Sequence, residues 1–295
     1  MPDLQNPMLR GHLAMLLFSM LVAGSFSLGS RVANAIDPAA LNALRFFLAA
    51  LIIGALVWRG PGIKRQDLAA PWRYFLLGGL FAVYFVMMFE GLKTAAPVSA
   101  SAVFTLAPLL SAGFGWLVLR QITTPRMAAA LAMAAGGAIW VIFRGDLAAI
   151  LAFEIGRGEL IFFVGVVAHA LYTPLIKRLN RGEKPLVFTL GMMVAGFVIL
   201  GVYGAPALLD TDFSSLPLLV WITLAYITVF ASATTFFLLQ YAALHLKAAK
   251  VMAYTYLVPA WVILWELALG GPMVSATVLL GIGAVIVALW MLLAE

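Results

Sequence analysis

RYFLLGGLFAVYFVMMFEGLKTAAPVSASAVFTLAPLLSAGFGWLVL, residues 73–119, decides the fold. It reads as two apolar blocks, 73–93 and 97–119, with only Thr94, Ala95 and Ala96 between them. A helix rising 1.5 Å per residue needs about 20 apolar residues to cross the hydrocarbon of a bilayer, and each block supplies them. So short a joint makes the two spans antiparallel neighbours. Working outward, blocks of the same kind lie at 12–32, 38–58, 125–143, 158–178, 185–204, 217–241, 248–268 and 272–293. Proline and glycine punctuate most of the joints, at Asp37-Pro38, Gly60-Pro61, Pro125, Pro185, Pro217 and Pro272. The charge-free run between Asp212 and His245 holds one span plus a loop around Ser214–Pro217. The expectation is an all-α membrane protein of ten transmembrane helices.

Composition agrees. Of 295 residues, 64% are hydrophobic and only 10% charged, against roughly 25% charged in a soluble domain; mean hydropathy is +1.07. The first block carries no A-x-A-like cleavage site and is expected to remain as a span. Cysteine is absent, which excludes disulfides, thiol chemistry and cysteine-ligated zinc. The net charge of +6 comes from basic residues scattered over short loops, with no stripe of the kind that binds nucleic acid. Those loops orient the chain instead. With the N-terminus in the cytoplasm, the inside segments collect Arg10, Arg59, Lys64, Arg65, Arg73, Arg120, Arg126, Lys177, Arg178, Arg181, Lys184, Lys247 and Lys250. Outside loops hold Arg31, Lys93, Arg144 and Arg157, and Arg45 lies within the second span. By the positive-inside rule both termini are cytoplasmic, and the expected location is a cell inner (plasma) membrane.

The chain also repeats itself. A shift of 147 residues places Pro38 on Pro185 and Gly136 on Gly283, and a shift of 151 places Pro108 on Pro259. The expected boundary puts residues 1–150 in the first repeat and 151–295 in the second. Because each copy has five spans, the second enters the membrane in the opposite sense. Inverted repeats of this kind are a transporter design with substrate at the repeat interface near the midplane.

On these residues the sequence resembles a known family. Gly24-Ser25-Phe26, Asp37-Pro38 and Arg45-Phe46-Phe47-Leu48-Ala49-Ala50 resemble the opening of an EamA repeat of the drug/metabolite transporter superfamily. Gly91–Ala96 running into Ala107-Pro108, and Ala134–Gly137, are similar to its later helices; Tyr241–Leu244 and Val258-Pro259 repeat the pattern. Among its branches the chain looks most like the YddG-type aromatic amino acid exporters. The resemblance implies efflux of small metabolites. Where family repeats often carry a glutamate after the fourth-helix proline, this chain has Gln121 and Pro272.

Polar residues at membrane depth are costly and point to function, although helix packing also uses them. Arg45 either holds a substrate carboxylate or caps backbone carbonyls of a neighbouring helix. His169 falls near the centre of the sixth span, and Trp261 near the middle of the ninth, after Tyr254 and the helix-bending Pro259. Tyr84, Tyr172 and Tyr226 lie at similar depth, and Ser25, Ser99, Ser101, Ser232 and Thr235 supply hydroxyls. An aromatic-lined cavity suits flat apolar substrates; the plainer reading is that the rings pack between helices. The expected substrate site is His169, Trp261, Tyr84, Tyr254, Ser25 and Arg45. Glu90, Lys93 and Glu266 end their spans and read as rim ion pairs or solvated ends. No metal site is expected, since no carboxylate shares the depth of His169, and no cofactor.

Transport of a small, amino acid-like molecule is therefore the expected function, with export of another metabolite class as the alternative. An intramembrane enzyme is the weaker reading: G-x-S-x-G, H-E-x-x-H and Walker motifs are all missing. Lack of a midplane carboxylate favours substrate moving down its own gradient, with proton exchange as the alternative. The sequence leaves the oligomeric state open and is compatible with a monomer.

Overall fold

The computed structural model describes residues 7–152 and 154–293, and all regular structure among them is helical. Ten long helices follow the expected blocks: α1 Pro7–Val32, α2 Pro38–Arg59, α3 Trp72–Leu92, α4 Pro97–Leu119, α5 Pro125–Ile142, α6 Arg157–Leu179, α7 Pro185–Tyr203, α8 Leu218–His245, α9 Ala248–Ala268 and α10 Ala276–Leu293. Nine are long and apolar enough to cross a membrane, and α10 is a shorter apolar helix. The tenth block begins later than the sequence implies. Gly270, at φ 80°, turns the chain at the end of α9, and residues 271–275 serve as the crossing to α10.

Local chemistry sets the helix starts. Pro38, Pro97, Pro125 and Pro185 each open a helix, where a missing N–H goes unused. The N–H groups of Ala39 and Ala40 donate to Asp37 at 2.8 and 3.3 Å, and that of Met127 donates to Thr124 at 3.2 Å.

Three helices are interrupted. α4 is helical over Pro97–Phe104 and again over Ala107–Leu119; α9 runs Ala248–Ala253, a tight turn at Tyr254–Leu257, then Val258–Ala268. Both breaks sit just ahead of a proline, Pro108 and Pro259, whose ring excludes the carbonyl four residues back. The duplication seen in the sequence thus reappears as the same kink in each half. In α8 the residues Val229–Thr234 widen into a π-helical stretch, a form that is uncommon and concentrated at functional sites.

Packing obeys the same symmetry. α3 lies along α6 as α8 lies along α1, and α6 meets α4 as α1 meets α9. α2 pairs with α7 and α5 with α10, each helix with its own counterpart in the other half. On the α5–α10 seam a Cβ on Gly137 would lie 2.7 Å from the Gly281 carbonyl, and one on Gly281 would lie 2.9 Å from that of Gly137. The crossing therefore requires hydrogen at both positions. These pairings make two inverted five-helix repeats whose central helices are α1, α3, α6 and α8.

Candidate substrate cavity

A small cavity lies among those four helices. It is walled by Phe18 and Ser25 of α1, Phe81, Tyr84 and Phe85 of α3, His169 of α6, and Ala231, Thr235 and Phe236 of α8. All of these residues are buried. Its volume is about 10 Å³, near the smallest space that holds one water. At that size it does not accommodate an amino acid in this conformation.

Aromatic rings enclose His169. Its ring centroid is 4.5 Å from that of Tyr84, 5.1 Å from Phe81 and 5.1 Å from Phe104. Amid these rings three polar atoms lack any hydrogen-bond partner among the described residues: Ser25 Oγ, His169 Nδ1 and Thr235 Oγ1. An unmet buried polar group costs about 1–3 kcal/mol. Six further buried polar atoms among the described residues, such as Thr255 Oγ1 and the Tyr256 hydroxyl, are also unpartnered, but these three gather around one cavity, from three helices and both halves.

Arg45 lies behind this wall, fully buried on α2. Its Nε donates to Ser232 Oγ, Nη2 to the Ala231 carbonyl at 2.6 Å, and Nη1 to Asn42 Oδ1 at 3.4 Å. Phe85 covers it, with the guanidinium carbon 3.5 Å from the ring centroid. Ala231 and Ser232 both belong to the π-helical stretch of α8, so the irregular backbone supplies the carbonyl that the arginine takes.

Two candidates from the sequence sit elsewhere. Trp261 Nε1 donates to Ser19 Oγ at 3.3 Å, and the Tyr254 hydroxyl meets His12 Nδ1 at 3.0 Å. Both contacts stitch α9 to α1, and neither residue lines the cavity. Tyr172 and Tyr226 also join helices: Tyr172 donates to Met192 Sδ at 2.7 Å and accepts from Gln240 at 3.0 Å, while Tyr226 donates to the Leu21 carbonyl at 2.9 Å. Ser99 donates to Glu159 at 2.7 Å, and Ser101 bonds within its own helix. Phe81, Phe85 and Phe236 went unmarked in the sequence, where 20 phenylalanines carry no depth or polarity signal to separate cavity rings from packing rings.

Ion pairs lie toward the ends of the helices. Arg31 of α1 forms a two-point bridge to Glu266 of α9 at 3.0 and 3.1 Å, and Lys93 meets Glu90 at 2.7 Å. At the opposite end, which carries most of the basic residues, Arg73 meets Glu183 of the α6–α7 loop at 2.6 Å.

A ten-helix inverted repeat with a buried cavity at the interface of its halves defines a class of membrane transporter. The chain belongs to the EamA-like transporter family, whose profile matches residues 9–143 and 156–294. It is 28% identical over 286 residues to the uncharacterized transporter YyaM of Bacillus subtilis, covering 96% of this chain and 93% of that protein. An uncharacterized transporter of Archaeoglobus fulgidus is 22% identical over 256 residues, with 84% and 85% covered. A crystal structure superposes with a TM-score of 0.73 at 18% identity, covering 98% of this chain and 96% of the other, which supports the fold.

Proposed function

We propose that this transporter exports small neutral and aromatic amino acids and related metabolites by alternating access, from an inner membrane in which both termini face the cytoplasm. The carrying observation is the cavity: aromatic walls broken by three unpartnered polar atoms, Ser25 Oγ, His169 Nδ1 and Thr235 Oγ1. Rings favour a flat apolar body through stacking, while hydroxyls and an imidazole suit an amino acid's polar groups. With room for about one water, the buried cavity must widen when substrate enters, as alternating access requires. On this reading residues 1–150 and 151–295 are the two repeats that rock against each other. His169, Tyr84 and Ser25 touch substrate; Trp261 and Tyr254 belong to the moving α1–α9 seam, and Arg45 stands one ring behind the cavity.

The test is counterflow in proteoliposomes with a panel of amino acids, for the wild type and two variants. His169→Ala should weaken all transported amino acids by up to about tenfold, the worth of one hydrogen bond. Trp261→Ala should lower the rate and leave preference among amino acids unchanged. Lost aromatic preference in Trp261→Ala would put that ring on the substrate. No flux of any amino acid would leave another metabolite class as the cargo.

A further inference from the structure

Arg45 is a buried cation without a counter-ion. Its acceptors are a hydroxyl, an amide oxygen and a backbone carbonyl, all neutral. No carboxylate lies within ion-pair distance of it among the described residues. A guanidinium carries five N–H donors, and these contacts use three, leaving one idle on each terminal nitrogen. The other fully buried arginine, Arg73, has a carboxylate at 2.6 Å. An ionised group inside a membrane protein is costly unless something neutralises it.

What stands between Arg45 and the cavity is thin. Phe85 lies over the guanidinium and also lines the cavity; Ala231 accepts from Arg45 and lines it too. Phe85 covers one face of the guanidinium, so it is the side chain that has to move for Arg45 to meet a molecule in the cavity. Donors on adjacent nitrogens match the two oxygens of a carboxylate.

The geometry points to Arg45 as the missing half of an ion pair that the cargo completes, so that the cavity selects carboxylate-bearing molecules and disfavours organic cations. This rests on the export reading above and deepens it: the carboxylate is the required group, and the amine is secondary.

Two competitors that share a ring separate these roles. Phenylpropionate keeps the carboxylate and lacks the amine; phenethylamine keeps the amine and lacks the carboxylate. Each is tested against phenylalanine counterflow in proteoliposomes of the full chain. The acid should compete at about tenfold lower concentration than the amine, the worth of one charge-assisted hydrogen bond. That advantage should vanish in Arg45→Gln and survive in Arg45→Lys. An amine that competes as well as the acid overturns the proposal, as does an acid advantage that persists in folded Arg45→Gln. If Arg45→Gln does not fold, the wild-type ratio and Arg45→Lys decide: lost acid preference with the charge retained also overturns it. If phenylalanine is not moved, the amino acid reading fails by itself. Thermal stabilisation of the wild type then decides, with the acid expected to stabilise it more than the amine and the reverse order overturning the proposal.

Discussion

Arg45 and Arg73 are both sealed inside the protein, and they differ in what surrounds them. Arg73 donates to the carbonyls of Leu179, Ala70 and Ala69 at 2.5, 3.2 and 2.9 Å, and to Glu183 at 2.6 Å. It ties the α2–α3 loop to the α6–α7 loop. Glu183 feels opposing influences. Burial pushes its carboxyl up, while the Arg73 hydrogen bond, the backbone N–H groups of Arg181 and Glu183 and the Arg73 charge together hold it below the ordinary 4.5. A carboxyl lowered by folding adds stability above its unfolded value and loses it as pH falls through the folded one. The latch should therefore hold at pH 7 and weaken below about pH 4.5. Glu183→Ala should cost about 3–5 kcal/mol, since it strands a buried charge. Lys93→Ala should cost under about 1 kcal/mol, because that rim pair is 29% and 40% exposed and screened by water. Thermal unfolding in detergent at pH 7 and pH 4 checks both. Equal losses for the two variants, or no acid sensitivity at Glu183, would remove the latch.

At the scale of the helix, neighbouring glycines face opposite ways. Gly137 of α5 meets the Gly281 backbone, while Gly136 faces open space with nothing within 4 Å, as does its counterpart Gly283 on α10. Gly137→Leu should separate α5 from α10 and destabilise the protein by about 1–3 kcal/mol or more through overpacking. Gly136→Leu should be neutral or stabilise by up to about 1 kcal/mol, since glycine is a poor helix former. Unfolding midpoints of the two variants compare them directly, and equal effects would contradict the α5–α10 seam. Both glycines stand in one run of small residues, Ala134–Gly137, and the sequence shows only that small residues pack. Which of two adjacent positions meets the partner depends on helix rotation, set by contacts far along the chain. The π-helical stretch of α8 was invisible for the same reason: Val229-Phe230-Ala231-Ser232 contains no proline or glycine, and Arg45, far away in sequence, meets the widened turn. The kinks of α4 and α9, by contrast, were legible, because Pro108 and Pro259 impose them locally.

For the molecule as a whole, the duplication carried the architecture and placed the cavity between the halves, and His169, Tyr84 and Ser25 were readable as mid-depth polar or amphipathic side chains. Depth along a helix follows from residue number. Azimuth does not, which is why Trp261 shares the depth of Phe18 yet turns to Ser19 of α1, while Tyr254 lies nearer the end of its span, level with His12. Orientation in the membrane is the remaining consequence of five-helix repeats. Odd copies in tandem must be antiparallel, so the α2–α3 and α6–α7 loops fall at the same end of the molecule although they come from different places in their repeats. The Arg73–Glu183 pair joins those two loops. Both loops are rich in lysine and arginine, with Arg59, Lys64 and Arg65 in or beside one and Arg178, Arg181 and Lys184 in or beside the other, which is why the proposed orientation puts that end in the cytoplasm. The α7–α8 loop lies at the other end and carries Asp210 and Asp212 without a basic residue. Because the chain has no cysteine, single cysteines report cleanly. Gly62 and Gly182 occupy those loops at φ 64° and 98°, where a side chain is strained, so the exposed Gln66, Lys184 and Asp210 are the better sites. In whole cells a membrane-impermeant maleimide should label Asp210→Cys only, and opened vesicles should expose Gln66→Cys and Lys184→Cys. Labelling of Gln66→Cys and Lys184→Cys from opposite faces would break the inverted repeat. Labelling of both from outside would keep the fold and reverse its orientation, turning the proposed exporter to face the other way.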